Sequence, residues 1–388
     1  MSVETITLGC RLNYAETETI GRTVPAGEEW LIVNSCAVTN EAVRQTRQMI
    51  RRSHKQRPNA KILVTGCAAE LEPARFESME GVARVVGNLH KLSAFRPSDG
   101  KTSVATGLLA KVKSFVAVQT GCDHRCTFCS IWQARGPSDS LPFEAVRDAV
   151  ALEIDRGAKE IVLTGVDITD YAGGLGQLCQ RLLAAEPRLQ RLRLSSLDSI
   201  EIDNALFELI AGEPRLMPHF HLSLQAGDDM ILRRMKRRHS RSDAVRTVER
   251  IKAARPDATI GADLIAGFST ETEEMYINTL KLLDDCDVIA AHVFPFSPRP
   301  HTPATRMPQV PREVVKARAA RLRDKAGTRR ARWLKTLLGT KQRILVEGPD
   351  QGHTDTFAPV TITDASLGQS GLAHIVGEDG NRMKAVWA

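Results

Sequence analysis

Six of the eight cysteines form two groups whose spacing indicates metal chemistry. The first group, Cys122, Cys126 and Cys129, lies in the segment GCDHRCTFC, directly after an apolar run. Three thiolates on one tight loop can bind a 4Fe-4S cluster and leave one iron without a protein ligand. An iron of this kind can bind the amino and carboxylate groups of S-adenosylmethionine (SAM) and reduce its sulfonium, which yields a carbon radical.

A structural zinc site is the alternative for this loop, with His124 or another histidine as the fourth ligand. Zinc sites of that type usually take their ligands from two separated pairs, and the sequence offers no second pair. The spacing therefore favours the iron–sulfur cluster.

The second group is spread over the first seventy residues. Cys10 follows the run ETITLG, Cys36 follows WLIVNS and Cys67 follows KILVTG. Each run is β-rich and precedes a helical pattern, which predicts parallel strands at Glu4–Leu8, Trp30–Val33 and Lys61–Thr65. Adjacent parallel strands lie about 5 Å apart and their carboxyl ends face one crevice, so we expect the three thiols to converge.

Three unrelated buried thiols are the alternative, because free cysteine often packs as a small hydrophobic residue. The three strand-end cysteines instead follow Gly or Ser and precede polar residues, as in Gly9-Cys10-Arg11. Cys179 lies within an apolar helical segment and Cys286 at the end of another, and we interpret both as packing residues.

The elements that must position these cysteines predict an α/β fold with three parts. We expect an amino-terminal open parallel α/β domain over residues 1–96, a linker at 97–113, a partial (β/α) barrel over 114–338 and a small carboxy-terminal β-barrel over 339–388. The predicted barrel strands are Phe115–Gln119, Glu160–Thr164, Leu192–Ser196, Phe220–Leu224, Thr259–Ile265 and Val288–Phe294. Working residues are expected at the carboxyl ends of these strands.

The composition excludes several classes of protein. With 388 residues, 42% hydrophobic and 26% charged, the chain has the composition of a folded protein rather than a disordered or fibrous one. No apolar run approaches the roughly 18–20 residues of a membrane span, and the start does not resemble a secretion signal. Eight cysteines are too few for a disulfide framework, so we expect a cytoplasmic protein.

The whole set of motifs resembles the radical SAM methylthiotransferase family. The resemblance covers nearly the whole chain, in the family's order, through TLGCRLN, NSCAVTNEAVRQTRQ, VTGC, GCDHRCTFC, ARGPSDS, RLSSLD, HLSLQAGDD, GADLIAGFSTETEE and HVFPFSPRPHTPATRMP. It implies a barrel of the radical SAM type and a terminal domain similar to the TRAM domain.

The resemblance also implies two 4Fe-4S clusters and a dual use of SAM. Cys10, Cys36 and Cys67 would hold an auxiliary cluster, and Cys122, Cys126 and Cys129 the cluster that generates a deoxyadenosyl radical. A methylthio group would then join a substrate carbon from which that radical has taken hydrogen. The implied SAM pocket contains Arg135, Gly165, Asp167, Ser195, Ser196, Asp198, Gln225 and Gly227, although Ser195 and Gln225 can equally be interpreted as ordinary strand ends.

Several motifs, above all HVFPFSPRPHTPATRMP, are most similar to the branch that acts on threonylcarbamoyladenosine next to the tRNA anticodon. The alternatives are the branches that act on isopentenyladenosine in tRNA or on an aspartate of a ribosomal protein, and a non-catalytic RNA-binding metalloprotein. The favoured branch implies a tRNA anticodon stem-loop as partner, an unidentified electron donor, no membrane and a monomer.

Basic clusters are consistent with an RNA partner, because neutralised phosphates provide much of the affinity for nucleic acids. The segment Arg312–Lys335 alone holds ten Lys and Arg residues against two acidic ones, in a chain of net charge +7. The candidate RNA contacts are Arg44, Arg47, Arg51, Arg237, Arg238, Arg329 and Arg330. A charged helix face that is merely solvated is the alternative for any one of these groups.

Overall fold

The amino-terminal part is a sheet of four parallel strands in the order β1-β2-β3-β4, of which the first three were predicted from the apolar runs. The computed structural model describes residues 3–25, 27–95, 104–109 and 112–388. Its first elements are β1 (Glu4–Thr7), α1 (Arg11–Gly21), β2 (Trp30–Ser35), α2 (Asn40–Gln56), β3 (Lys61–Gly66), α3 (Cys67–Leu71), α4 (Pro73–Glu77) and β4 (Val82–Val85). The short β4 was not predicted, because half of its residues are exposed and its apolar pattern is weak.

The start of α2 shows how local sequence positions one of these elements. The Thr39 hydroxyl accepts a hydrogen bond of 3.1 Å from the backbone N–H of Ala42 and so caps the helix. Val43, Thr46 and Ile50 share its buried face, as their spacing predicts. The opposite face therefore presents the basic residues of α2 to solvent.

Six parallel strands form the central partial barrel, as predicted. One sheet contains three of them, a second sheet the other three, and a bridge from Leu197 to Leu222 joins the two sheets. The elements are β5 (Thr106–Leu109), β6 (Lys113–Ala117), β7 (Gln119–Thr120), α5 (Ile131–Arg135), β8 (Asp139–Ser140), α6 (Phe143–Asp155), β9 (Glu160–Thr164), α7 (Leu175–Ala185), β10 (Leu192–Leu194), α8 (Asn204–Gly212), β11 (His219–Gln225), α9 (Asp229–Met235), α10 (Arg241–Ala254), β12 (Thr259–Ala266), α11 (Glu273–Asp285), β13 (Val288–Pro295) and α12 (Arg312–Thr336). The barrel strands are β6, β9, β10, β11, β12 and β13.

The predicted linker at 97–113 is wrong in part. Residues 106–109 form β5, which pairs antiparallel with β6 and extends the first barrel sheet. Residues 97–103, 110 and 111 of the predicted linker lie outside the described residues. The helix α1 packs on β5 and β6, and an apolar cluster that includes Leu12, Ala15 and Phe115 joins the amino-terminal domain to the barrel. Because α1 begins one residue after Cys10, this contact places that cysteine against the barrel.

The carboxy-terminal part is a closed five-stranded barrel, as predicted, in the order β14-β15-β16-β18-β17. Its strands are β14 (Lys341–Gly348), β15 (Gln351–Thr354), β16 (Pro359–Ile362), β17 (Ser370–Asp379) and β18 (Arg382–Trp387). It is held to the central barrel by buried charges. Glu160 pairs with Lys113, Arg191 and Arg193, while Lys113 also binds Glu347 at 2.8 Å.

The long helix α12 is docked by ion pairs with the region around α11. Arg318 binds Glu271 at 3.0 Å, and Arg329 binds Asp284 at 2.6 Å and Asp287 at 2.7 Å. Much of the charge of this helix therefore acts within the protein. None of the helices in the described part of the chain has the length and apolar character that a membrane span needs.

The contact between Lys113 and Glu347 predicts an acid-sensitive attachment of the terminal barrel. Burial would raise the pKa of Glu347, but hydrogen bonding to His353 and the charge of Lys113 outweigh it and lower the pKa to about 2. A carboxyl whose pKa is lower in the folded state than in the unfolded state stabilises the fold. The stabilisation is complete at pH values above the ordinary pKa of about 4.5 and is lost as the pH falls towards 2. We expect Glu347→Gln to reduce the difference in unfolding free energy between pH 7 and pH 4 by about 1 kcal/mol.

Urea unfolding at the two pH values measures this difference. Glu378 is exposed and makes no ion pair with the described residues, so Glu378→Gln is the matched control. Identical pH dependence of the Glu347→Gln variant and the wild type would contradict the prediction.

Candidate active site

The three strand-end cysteines follow neighbouring strands, because β1, β2 and β3 are adjacent in the sheet. The loops after these strands approach one another closely. Gly9 has a φ of +97°, and a Cβ on this residue would lie 2.8 Å from the Cys36 Sγ. Only glycine tolerates both the backbone conformation and the contact. The sequence prediction that the carboxyl ends of these strands bring Cys10, Cys36 and Cys67 together agrees with this topology.

The cysteine loop of the barrel is closed at its base by the short antiparallel pair β7–β8. The backbone N–H of Cys122 donates to the carbonyl of Gly136 at 3.1 Å, which holds the two ends of the loop together. Gly121 has a φ of +73°, and a Cβ there would overlap the Pro137 carbonyl. Cys122, Cys126 and Cys129 therefore lie on one constrained loop.

Gln119 connects this loop to the end of the next barrel strand. Its side-chain amide N–H donates to the Gly121 carbonyl at 2.9 Å, and its carbonyl oxygen accepts from the backbone N–H of Asp167 at 2.9 Å. The loop and the carboxyl end of β9 are thus held in one arrangement.

The two cysteine groups meet at the contact between α3, which begins at Cys67, and α5, which follows Cys129. The link is Arg135, whose Nε–H donates to the Cys67 Sγ at 3.3 Å. The same guanidinium donates to Glu16 at 2.8 Å and to the Asn13 side chain at 2.7 Å. A residue of the central barrel therefore completes the surroundings of an amino-terminal cysteine.

Arg135 belongs to a buried ionic cluster. Its side chain is 2% exposed, and those of Glu16 and Lys91 are 5% and 1% exposed. Burial would raise the pKa of Glu16, but the charges of Arg135 and Lys91 outweigh it and lower the pKa to about 2. For Arg135, Glu16 and Cys67 outweigh burial and raise the pKa of the guanidinium well above its usual value.

The sequence prediction that Arg135 contacts SAM does not fit this arrangement. All three of its guanidinium nitrogens are bound to residues of α1 and α3, and almost none of the side chain is accessible. The structure supports a role between the two cysteine groups instead.

Acidic and basic side chains also surround the barrel cysteines, among them His124, Asp198 and Arg237. His124 lies 3.3 Å from Asp167 and 3.6 Å from Asp198. Asp198 accepts from Arg237 at 2.8 Å, and the Arg237 Nη1–H points to the Cys126 Sγ at 3.8 Å. Burial would raise the pKa of Cys126, but a hydrogen bond with His124 and the charge of Arg237 outweigh it and lower the pKa.

Arg237 was predicted as an RNA contact, and the structure contradicts this. Its side chain is 7% exposed and lies between Asp198, the Ser223 carbonyl and Cys126. The prediction was wrong because a run of basic residues does not show which of them turn inward.

The other five predicted SAM residues lie at different places in the barrel. Gly165 lies beside the Gln119 carbonyl, where a Cβ would approach to 2.7 Å, and Ser195 continues the strand pairing through its backbone N–H. Ser196 faces the barrel interior and hydrogen-bonds Ser223 at 2.9 Å. Gln225 ends β11 with a φ of +66°. Gly227 lines an outer cleft of about 410 Å³ next to Asn278, away from the cysteine groups, so its predicted SAM contact is not supported.

The remaining predicted RNA contacts differ in accessibility. Arg44 and Arg51 lie on the exposed face of α2, and Arg47 is half-buried on the same helix. Arg238 is exposed and paired with Glu201. Arg329 is 15% exposed with its donors bound to Asp284 and Asp287, which contradicts its predicted contact with RNA. Arg330 is half-buried and lines a cavity between the barrel and the terminal β domain.

Comparison with known proteins identifies the family. Residues 116–283 match the family model described as "Radical SAM superfamily", and residues 2–87 match "Uncharacterized protein family UPF0004". The chain is 42% identical over 99% of its length to the threonylcarbamoyladenosine tRNA methylthiotransferase MtaB of Rickettsia prowazekii, covering 97% of that protein. The chain belongs to the radical SAM methylthiotransferases.

Further relatives of this methylthiotransferase carry two different names. MtaB of Thermotoga maritima is 34% identical, with 88% of this chain and 85% of the relative covered. The tRNA-2-methylthio-N(6)-dimethylallyladenosine synthase of Erythrobacter litoralis is 32% identical, with 87% and 85% covered. Among solved structures, the radical SAM methyltransferase TsrM of Kitasatospora setae shares the fold with a TM-score of 0.57 at 14% identity, covering 78% of this chain and 77% of its own.

The cofactors of the family are two 4Fe-4S clusters and SAM, and the residues of this methylthiotransferase fit them. Each cysteine group offers three thiols, the number that leaves one iron open for a further ligand. Buried guanidinium nitrogens without a partner lie near both groups, on Arg237 close to Cys126 and on Arg299 close to Cys36. Unsatisfied buried donors are rare in proteins, and these two suit anionic clusters.

Sequence reasoning missed several residues of the methylthiotransferase site. Asn13 and Glu16 bind Arg135, Lys91 binds Glu16, and Glu201 lies 3.3 Å from His124. The first two lie at i+3 and i+6 from Cys10, on the helix that begins at the site, and this spacing was the available signal. Lys91 gave no local signal, because its partner is 75 residues away.

Proposed function

We propose that this chain adds a methylthio group to carbon 2 of N6-threonylcarbamoyladenosine next to the anticodon of tRNA. The observation that carries the proposal is the contact between the two cysteine groups through α3, α5 and Arg135. A radical source and a sulfur donor must act on one carbon, so they must lie on either side of the same space. The similarity to MtaB over almost the whole chain supports the choice of substrate.

We assign the cluster ligands from the geometry of the loops. Cys122, Cys126 and Cys129 hold the cluster that accompanies SAM, and Cys10, Cys36 and Cys67 hold the auxiliary cluster. When bound, the cluster on the barrel cysteines would supply the electron that cleaves SAM, and the auxiliary cluster would carry the sulfur that is transferred. The β7–β8 pair keeps the first loop rigid, and Gly9 allows Cys36 to approach Cys10.

SAM is placed by the polar ends of the barrel strands beside the first cysteine loop. Asp167 and Asp198 lie closest to that loop through His124. Ser196 and Ser223 offer hydroxyl groups to the barrel interior, where the substrate base would lie. The carboxylates would bind amino and ribose hydroxyl groups, since both are hydrogen-bond donors.

The anticodon stem-loop binds on the side of the molecule that carries α2. The exposed Arg44 and Arg51 lie on this helix, and its first residue, Asn40, contacts Arg299 of the barrel. These positions put a basic helix face beside the amino-terminal cysteine group. We propose further that the enzyme acts as a cytoplasmic monomer and receives electrons from a separate donor.

The proposed function is tested with three synthetic stem-loops that differ only at the target adenosine. They carry threonylcarbamoyladenosine, isopentenyladenosine or plain adenosine, and are incubated anaerobically with reconstituted enzyme, SAM and dithionite. We expect the methylthio product, detected by mass spectrometry of nucleosides, only from the first RNA. The Cys126→Ala variant is the control and should form neither deoxyadenosine nor product. Product from the isopentenyl RNA alone, or from none of the three, would refute the proposal.

A further inference from the structure

A cationic cavity of about 270 Å³ lies where the amino-terminal domain, the barrel and the terminal β domain meet. Its polar lining residues are Arg11, His219, His221, His292, Arg323 and Arg330. Arg11 directly follows Cys10, so the cavity begins one residue from the auxiliary cysteine group. Among the described residues, none that lines the cavity carries a carboxylate.

Two of these arginines lack a partner. Arg11 and Arg330 make neither an ion pair nor a hydrogen bond with any residue that the structure describes, and both are half-buried. Burying part of a cation without an ion-pair partner costs free energy, and binding of an anion between Arg11 and Arg330 would offset that cost.

The acidic residues nearest to the cavity are already engaged. Asp263 accepts from His221 at 3.0 Å and from His292 at 3.1 Å, which leaves it behind the histidine rings. Glu160 is fully buried among Lys113, Arg191 and Arg193. Glu160 and Asp263 act on Arg11 only through space, without an ion pair, so Arg11 and Arg330 keep their donors available for an anionic ligand.

The position and size of the cavity restrict that ligand. Arg11, the residue after Cys10, lines it, and His221 lines it from β11, the strand that also carries Ser223. Its volume suits a substituent of amino-acid size rather than a whole nucleotide. A phosphate of the RNA backbone would be expected at an exposed surface, whereas Arg11 and Arg330 are half-buried.

We propose that this cavity binds the carboxylate of the threonyl group of the substrate, with Arg11 and Arg330 as the specificity-determining cations. The inference rests on the proposed function and deepens it. Arg11 and Arg330 form charge-assisted hydrogen bonds with the carboxylate, and His292 is placed to meet the threonyl hydroxyl or the carbamoyl oxygen. The isopentenyl substituent has no polar group, so it would leave both cations unpaired and is rejected for that reason.

The test measures binding of fluorescent stem-loop RNAs to the reconstituted enzyme without reductant, so that no turnover occurs. One RNA carries threonylcarbamoyladenosine, and a matched RNA carries its carboxamide, which has the same shape without the charge. We expect the wild type to bind the carboxylate RNA about tenfold or more tightly than the carboxamide RNA. In Arg11→Gln and Arg330→Gln the ratio should fall towards one, while Arg11→Lys should retain part of it.

Arg332→Gln is the matched control, because Arg332 lies on the same helix as Arg330 but is exposed and does not line the cavity. It should keep the wild-type ratio. If Arg11→Gln weakens binding of both RNAs equally, the arginine binds a phosphate and the proposal is overturned. A wild type that methylthiolates both RNAs and binds them equally overturns the carboxylate subsite alone, whereas methylthiolation of the isopentenyl RNA alone overturns the proposed function as well.

Discussion

Replacing Cys10, Cys36 and Cys67 by alanine together is expected to abolish methylthio transfer while SAM cleavage continues. The iron content after anaerobic reconstitution should fall from about eight to about four per chain, because one of two four-iron clusters is lost. The second cysteine group lies on its own loop, closed by the β7–β8 pair, so its cluster should still form. Deoxyadenosine should therefore be released when SAM and dithionite are added, without a methylthio product.

Two further variants serve as comparisons: one that removes the barrel cysteines, and one that replaces a buried cysteine outside both groups. Alanine at Cys122, Cys126 and Cys129 should also leave about four irons, but with no deoxyadenosine. Cys179 is fully buried in the apolar core of the barrel, and Cys179→Ala should keep both clusters and full product. Retention of about eight irons by the Cys10/Cys36/Cys67 variant would show that these thiols do not hold a cluster.

Replacing Arg135 by methionine is expected to destabilise the cluster-free protein by about 1–3 kcal/mol, because buried acceptors lose their hydrogen-bond donor. Glu16 would keep only Lys91 as a charged partner, and Asn13 would lose its guanidinium donor. The yield of methylthio product should also fall, because the contact between α3 and α5 loses the hydrogen bond from Arg135 to Cys67. Urea unfolding measures the loss of free energy.

A surface arginine and a double variant serve as controls. Arg147 pairs with its neighbour Asp148 on the surface, so Arg147→Met should cost less than about 1 kcal/mol. The loss of stability in the double variant Glu16→Gln/Arg135→Met should be smaller than the sum of the two single losses, because the two charges are directly coupled. Full additivity of the two substitutions would show that the ion pair does not stabilise the site.

Much of the site could be predicted because it depends on local sequence. The spacing of Cys122, Cys126 and Cys129 places three thiols on one loop whatever the rest of the chain does. The strands before Cys10 and Cys36 were recognisable from their apolar β-rich runs, and adjacent parallel strands end at one edge. The α2 cap at Thr39 likewise follows from residues within one helical turn.

The roles of the charged residues could not be predicted in the same way. Arg237 and Arg329 looked like members of basic surface runs, but ion pairs with Asp198 and Asp284 direct them inward. Arg135 looked like part of the SAM pocket, yet its partner Glu16 lies 119 residues earlier in the chain. Burial and pairing depend on which distant segments come together, and the local pattern carries no information about that.

The sequence by itself therefore determined the two cysteine groups, the α/β order of the elements and the family, since these depend on spacing and periodicity along the chain. Only the tertiary structure decided that α3 and α5 bring the groups together, that Arg135 joins them and that Arg11 and Arg330 line one cavity. The physical reason is that charges interact through space. Their partners are selected by folding rather than by distance in sequence.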